Sequence, residues 1–206
     1  MLMALGFILV FVNGGITGVM IASPPIDFAV NDTYFIVSHF HYIMVGGLLF
    51  GMFAAFYFWF PKFTGRLLSE RIGRWHFWIF LVGFNLTFFP QYLVGLDGMP
   101  RRIADYQLER WTSANLASSI GAFLTGLSVL VFCWNFLVSI RRGQPAGGDP
   151  WEGNSLEWMT TSPPPHHNFH HLPEVRSERP TFDWRHRDDP AFAAADTDPE
   201  RNVDRG

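Results

Sequence analysis

The chain has 206 residues, of which 49% are hydrophobic, 17% aromatic and only 16% charged, and this composition excludes an ordinary soluble domain. Its mean hydropathy of +0.12 and formal net charge of -3 average over two unlike parts. Up to Arg142 nine basic residues stand against six acidic ones, whereas from Gly143 onward six stand against twelve. This balance does not indicate a nucleic-acid partner, and the single cysteine, Cys133, excludes an internal disulfide.

Four apolar segments are long enough to cross a bilayer, which takes about 20 helical residues. They cover approximately residues 1–22, 33–60, 75–96 and 112–140. We therefore predict an all-α fold, with a polytopic transmembrane helix bundle over residues 1–142. The remainder, residues 143–206, is acidic and rich in proline and histidine. It shows no helical period, so we expect an irregular tail.

Prolines, glycines and aromatic residues predict how the spans end and pack. The paired prolines of SPPIDFAVND are expected to stop the first helix, and Pro61 the second. The small-residue run GGITG, residues 14–18, indicates close helix packing. Trp75 and Trp78 are typical of an interfacial belt, and His76, next to Trp75, is expected in the headgroup region.

Basic residues predict the orientation of the bundle. They occur in the loop between the second and third spans and again at Arg141 and Arg142, after the fourth. Because successive spans run in opposite directions, both regions lie on one face, which the positive-inside rule assigns to the cytoplasm. Both termini and the tail are then cytoplasmic, and the loops after the first and third spans lie on the outer face.

The stretch DTYFIVSHFHY, residues 32–42, places two histidines inside the second span. At about 100° per residue, His39 and His41 lie about 200° apart around the helix, so they do not readily share one metal ion. They can instead ligate two metal cofactors, one on each side, and imidazole is a usual protein ligand of haem iron. At 1.5 Å per residue from Asp32, His39 lies about 10 Å below the outer boundary.

The outer turn GMPRR offers two adjacent guanidinium groups, Arg101 and Arg102, which suit the carboxylates of haem propionates. Asp27 and Asp32, on the same face, can hold a hard cation or share a proton with a propionate. Other interpretations remain open: a membrane histidine can simply bond a neighbouring helix, and paired arginines can be interfacial anchors. HHNFHH, residues 166–171, resembles a metal-binding tract in a setting without a rigid cage.

Three motifs, LGFILVFVNGGITGV, DTYFIVSHFHY and NLTFFPQYLVGLDGMPRRIADY, occur in the order and spacing of one family. Through them the chain resembles subunit I of the haem-copper respiratory oxidases, the catalytic subunit of cytochrome c oxidase. The tail, with LEWMTTSPPPHHNF and RSERP, is similar to that of actinobacterial members. The resemblance implies that these are the last four of twelve transmembrane helices, and that the N-terminal part of the same subunit is a partner.

The resemblance also implies roles for the residues around the two histidines. His39 would be the axial ligand of the high-spin haem at the oxygen-reducing centre. His41 would be one of two axial ligands of the low-spin haem. Phe40, between them, would lie in the short electron path from one haem to the other.

For the outer loops, the resemblance implies that Arg101 and Arg102 bind haem propionates. Asp27 would lie against a propionate of the high-spin haem, and Asp32 would belong to a magnesium site. Many family members have a ligating histidine where this chain has Asn31. An amide oxygen can also bind a hard cation, so the magnesium assignment stays open.

The implied activity is that of a cytochrome c oxidase, which reduces oxygen to water with coupled proton pumping. It implies two A-type haems, a copper ion whose ligands are not in this chain, and oxidase subunits II and III and cytochrome c as partners. The expected location is the bacterial plasma membrane, and this chain alone is not expected to be active. The alternatives are a quinol oxidase or nitric oxide reductase relative, or a non-catalytic haem-binding membrane fragment.

Overall fold

The computed structural model describes residues 1–106, 108–169, 171, 173 and 175–188. The described part of the chain contains helices and no β-strand, apart from two isolated bridges, so the predicted all-α fold is confirmed. The helices are α1 (Leu2–Ile21), α2 (Pro24–Val30), α3 (Tyr34–Phe40), a π-helical segment (His41–Gly46), α4 (Gly47–Thr64), α5 (Glu70–Leu96), α6 (Thr112–Arg142) and α7 (Pro180–His186), with short 3-10 helices at Glu109–Trp111 and Leu156–Met159.

Within the described residues, four continuous helical stretches are long and apolar enough to cross a membrane, as predicted for a transmembrane bundle. They are Leu2–Ile21, Tyr34–Thr64, Glu70–Leu96 and Glu109–Arg142. Many large apolar side chains on them are exposed, as expected for surfaces that face lipid or other membrane helices. The division of the chain at residue 142 stays a prediction, and residues 189–206 of the predicted tail lie outside the described residues.

The prediction that the first helix stops before the paired prolines is confirmed, because α1 ends at Ile21, but the prediction for Pro61 is wrong. Pro61 does not end the second span, because it lies in the last turn of α4, where the missing N–H removes little of the helix. The helix continues to Thr64 and ends at Gly65, whose φ of 70° is readily adopted by glycine. Pro24 and Pro25 occupy the first turn of α2, where a proline N–H would have no helical partner.

The chain forms two compact units. The first comprises residues 1–58 and 68–143. In it, α3 and the π-helical segment pack between α1 and α5, and α6 packs along α5. A cluster of buried aromatic side chains fills the space between the helices, and it includes Phe35, Tyr42, Phe50, Phe80 and Phe84.

Glycines allow the helices of this unit to approach closely. A Cβ atom on Gly14 would lie 2.7 Å from Cδ1 of Ile43, so the predicted packing role of GGITG is confirmed at this position. A Cβ atom on Gly83 would lie 2.7 Å from the backbone nitrogen of Thr125, and Gly121 meets the backbone of α5 in the same way. Small residues of this kind are typical of membrane helix interfaces.

His76 is buried inside the helix bundle, and its predicted depth in the headgroup region stays a prediction. Its side chain is 0% exposed and lies among the rings of Phe53, Phe80 and Phe132. Its Nδ1 atom lies 3.2 Å from the hydroxyl of Tyr57. The reason is rotational: α5 begins at Glu70, so His76 points inward from the second turn while its neighbour Trp75 points outward.

The same unit contains a polar connection between α6 and the start of α5. The side chain of Asn135 accepts a hydrogen bond from the backbone N–H of Ser69 and donates one to its carbonyl, each at 3.1 Å. Ser139 also accepts from the Ser69 N–H at 3.2 Å. The bonds from the Ser69 N–H satisfy a backbone donor that has no helical partner, whereas the Ser69 carbonyl also accepts from the N–H of Gly73.

The second unit comprises residues 59–67 and the described residues from 144 onward. Lys62, near the end of α4, is only 6% exposed. Its ammonium group donates to the carbonyls of Thr160 at 2.7 Å and Gly148 at 3.0 Å, and it lies 5.1 Å from the ring centre of Trp158. A buried lysine thus binds the segment 148–161 to the end of this helix.

Candidate haem-ligand site

The helix that carries both histidines begins at a side-chain cap. The hydroxyl of Thr33 accepts a hydrogen bond from the N–H of Phe35 at 3.2 Å and donates to the carbonyl of Val30 at 2.7 Å. This arrangement starts α3 at Tyr34. At His41 the helix changes to π geometry, a departure that is frequent at functional sites.

His39 faces α1. Its Nδ1 atom lies 3.1 Å from the carbonyl oxygen of Gly14 and 3.0 Å from the hydroxyl oxygen of Thr17. A Cβ atom on Gly18 would lie 3.1 Å from Cε1 of the imidazole, so the glycine leaves room for the ring. The small residues of GGITG therefore also accommodate His39.

His41 faces α5. Its ring stacks on Phe88, with 4.2 Å between ring centres and 18° between the planes. Its Nδ1 atom lies 2.7 Å from the carbonyl oxygen of Val37, one turn earlier. The ring of Phe40 lies 4.6 Å from that of His41. The two imidazoles thus contact different helices, although only one residue separates them.

The hydrogen bonds of the two rings assign their tautomers. A backbone carbonyl can only accept a hydrogen bond, so Nδ1 carries the proton in both His39 and His41. Each Nε2 atom then presents a lone pair, and within the described ranges no group hydrogen-bonds to it. This is the arrangement found in metal-ligating histidines, and the donor set fits an axial ligand of haem iron.

The two outer loops meet above the start of α3. The residues Thr33 and Pro100 form an antiparallel bridge, and the N–H of Arg101 donates to the carbonyl of Asp32 at 2.9 Å. The side chains of Asp32 and Arg101 also form an ion pair. The turn that follows α5 is thereby attached to the residue at which the histidine motif begins.

The arginines of this turn differ in environment. The Nε atom of Arg101 is buried and has no hydrogen-bond partner among the residues that the structure describes. A buried donor of this kind needs an acceptor, and a carboxylate would supply one. Arg102 is exposed, with a φ of 62°. Asp27 is half-buried in the first turn of α2.

The predicted cation ligands do not form a complete metal site in the described residues. The amide oxygen of Asn31 accepts a hydrogen bond from the N–H of Asp32 at 2.9 Å, and the Asp32 carboxylate pairs with Arg101. Across the described ranges, no three His, Cys, Asp or Glu side chains are grouped to hold a metal ion. In the tract HHNFHH, His170 lies outside the described residues.

Sequence reasoning missed three residues around the histidines. They are Thr17, Tyr92 and Phe88. The available signals were spacing and polarity: Thr17 lies one turn after Gly14, and a tyrosine and a phenylalanine four residues apart occupy one face of α5.

The comparisons with known proteins identify the family of the chain. The family model for cytochrome c and quinol oxidase polypeptide I matches residues 1–124. A protein of Nocardia farcinica named "Probable cytochrome c oxidase subunit 1-beta" is 54% identical over 186 residues, which are 89% of this chain and 32% of that protein. Cytochrome c oxidase subunit 1 of Corynebacterium diphtheriae is 53% identical over 182 residues, which are 87% of this chain and 32% of that protein.

The fold has a counterpart among solved structures. A chain from a haem-copper terminal oxidase dimer, solved by cryo-electron microscopy, aligns with a TM-score of 0.59 and 21% identity. The alignment covers 68% of this chain and 26% of the other, and at this identity it shows similarity of fold alone. The chain spans about a third of the length of the curated relatives it matches. Because the family model matches more than half of the residues, the chain belongs to the family of cytochrome c and quinol oxidase polypeptide I.

Proposed function

We propose that this chain supplies haem axial ligands to the catalytic subunit of a terminal respiratory oxidase. That enzyme reduces oxygen to water with electrons from cytochrome c and couples the reaction to proton translocation. The single observation that carries the proposal is the pair of imidazoles, each with its Nδ1–H held by a backbone carbonyl and each facing a different helix. Family membership supplies the cofactor class.

In this proposal His39 is the axial ligand of the high-spin haem and His41 that of the low-spin haem. The haems, when bound, supply the one-electron redox chemistry of the reaction. The carbonyls of Gly14 and Val37 hold the Nδ1 protons, so the Nε2 lone pairs stay available for iron. Phe40, whose backbone is the shortest covalent link between the ligands, is proposed to lie between the two cofactors in the electron path.

The outer turn is proposed to hold the propionates. Arg101 and Arg102 supply the cationic groups, and the buried, unpartnered Nε of Arg101 supports this role. Asp27 is proposed to lie against a propionate of the high-spin haem. Asp32, with Asn31 in the position of the usual histidine, is proposed to contribute to a magnesium site in the complete enzyme.

For the whole enzyme we propose two A-type haems and a copper ion ligated by the N-terminal part of the same subunit. Oxidase subunits II and III and cytochrome c are the proposed partners. The proposed location is the bacterial plasma membrane, with both termini of this chain in the cytoplasm. Quinol is a second candidate donor, because the matching family model describes cytochrome c and quinol oxidases together.

The test uses the assembled oxidase that contains this sequence. His39→Ala is expected to remove the high-spin haem signal and abolish oxygen uptake, and His41→Ala to remove the low-spin haem band, in reduced-minus-oxidised optical spectra. His167→Ala, in the exposed tail, is the matched control and should change neither. A His39→Ala enzyme with normal spectra and turnover would refute the assignment.

The same preparation separates the alternatives. Oxygen uptake with reduced cytochrome c supports the proposed donor, and uptake with quinol alone supports the second one. Two haem bands without oxygen uptake from either donor would indicate a non-catalytic haem protein.

A further inference from the structure

We infer that Thr17 and Tyr92 are positioning residues for the imidazole of His39, an inference that rests on the proposed role of His39 as an iron ligand. Thr17 is on α1 and Tyr92 on α5, so the contact joins both helices to the one that carries the histidine. Neither residue stood out in the sequence, and neither touches the iron-binding side of the ring.

The hydrogen bonds around Thr17 form one consistent set. Its hydroxyl donates to the carbonyl of Gly14 at 2.9 Å. Since the Nδ1 atom of His39 is the protonated one, the Thr17 oxygen accepts from it at 3.0 Å. The Tyr92 hydroxyl, 3.0 Å away, then donates to the other lone pair of the same oxygen. Each polar atom of Thr17 is therefore used, and the Nδ1–H is shared between two acceptors.

The second neighbour of the Tyr92 hydroxyl does not change this conclusion. Ser38 also contacts that hydroxyl, but its own proton is donated to the carbonyl of Phe88 at 2.7 Å. Ser38 can therefore only accept from Tyr92. Whichever way the phenolic proton points, the Thr17 oxygen remains an acceptor for His39.

Burial gives this contact its effect. Thr17 is 8% exposed and Tyr92 5% exposed, and both lie in membrane-spanning helices. In such a medium an unmade hydrogen bond cannot be replaced by one to bulk water. Thr17 consequently fixes the rotation of the His39 ring about its side-chain bonds, and Tyr92 fixes the hydroxyl of Thr17.

The shared proton also has an electronic consequence for the ligand. Two acceptors draw the Nδ1 proton more strongly than the Gly14 carbonyl alone, so the opposite nitrogen, Nε2, becomes a better electron donor. Removing the Thr17 hydroxyl should weaken the bond from His39 to its metal. Changes to such supporting partners commonly cost 10- to 100-fold in metal affinity or activity.

The experiment compares variants of the intact oxidase by resonance Raman spectroscopy of the reduced high-spin haem. Thr17→Val keeps the shape and removes the hydroxyl, and it should shift the iron–histidine stretching band to lower frequency and raise the haem reduction potential. The rate of haem loss in detergent should rise about 10-fold. Thr17→Ser should restore the wild-type band. Tyr92→Phe should broaden the band with a smaller shift.

Thr87→Val is the matched control. Thr87 is equally buried at 8%, and its hydroxyl donates to the Gly83 carbonyl at 2.7 Å. Among the described residues it makes no hydrogen bond to His39 or His41. The iron–histidine stretching band of the Thr87→Val variant should stay at the wild-type frequency. An unchanged band in Thr17→Val, or the same shift in Thr87→Val, would overturn the inference.

Two further results keep the inference separate from the proposed function. If His39→Ala retains the iron–histidine band, the ligand assignment itself is wrong. If His39→Ala loses the band and Thr17→Val leaves it unchanged, only the role of Thr17 is wrong. Should Thr17→Val fail to assemble with haem, Thr17→Ala takes its place. If Thr17→Val and Thr17→Ala both lose haem while Thr17→Ser and Thr87→Val assemble normally, the result would support a requirement for the Thr17 hydroxyl in haem binding.

Discussion

Gly95 sets how closely α5 approaches the start of α3, the helix that carries His39. Gly95→Ala is therefore expected to lower both the stability and the turnover of the oxidase. A Cβ atom there would meet the backbone nitrogen of Phe35 and lie 2.7 Å from its Cα and 2.8 Å from its Cβ. Ordinary carbon contacts begin at about 3.5 Å, so the two helices must separate by at least about 0.8 Å. Overpacking of this kind lowers the free energy of unfolding by up to about 3 kcal/mol. The higher helix propensity of alanine raises it by about 1 kcal/mol.

The net loss of about 2 kcal/mol should appear as a lower thermal midpoint of the solubilised oxidase. Because a misplacement near 1 Å can cost about 100-fold in rate, turnover should fall by a comparable factor. Gly15→Ala is the matched control, since a Cβ atom on Gly15 meets nothing within 4 Å. This control should be neutral or slightly stabilising. Equal stability and turnover of Gly95→Ala and Gly15→Ala would contradict the packing argument.

Two further substitutions test the polar contacts outside the site. Lys62→Met removes three charge-assisted hydrogen bonds, of which the two at 2.7 and 3.0 Å are worth about 3 kcal/mol together. Hydrogen exchange in the segment that supplies the carbonyls should therefore accelerate about 100-fold. Arg141→Met, at an exposed position, should leave this exchange unchanged, and equal rates in both variants would count against an anchoring role. Asn135→Leu leaves the backbone groups of Ser69 with fewer partners and should destabilise the oxidase by about 2 kcal/mol in thermal melts. The exposed substitution Ser119→Ala is its control, and an Asn135→Leu enzyme as stable as this control would show that the bonds contribute little.

The spans could be predicted from the sequence because a bilayer imposes length and apolarity on every helix that crosses it. The continuation of the helix past Pro61 could not be predicted, because the effect of a proline depends on its position within the last turn and not only on its presence. The inward direction of the His76 side chain could not be predicted either. Its burial follows from the rotational phase of α5, and a change of one residue turns a side chain by about 100°.

At the site, the angular separation of His39 and His41 followed from helix geometry alone. Their partners did not, since the contacts of Nδ1 depend on which carbonyls neighbouring helices present. Thr17 comes 22 residues before His39, and Tyr92 comes 75 residues after Thr17. Contacts over such separations depend on tertiary packing, which neither periodicity nor spacing encodes. The roles of the predicted ligands stay predictions until the variants are measured.

The single residue between His39 and His41 has a consequence for how variable the rest of the protein can be. Two peptide units join the imidazoles, so their spacing is covalent in origin and is not set by the packing of separate helices. Substitutions that shift α1 or α5 can tilt one ring or the other, yet they cannot slide the two rings apart along the chain. Substitutions at lipid-facing positions therefore leave the separation of His39 and His41 along the chain unchanged.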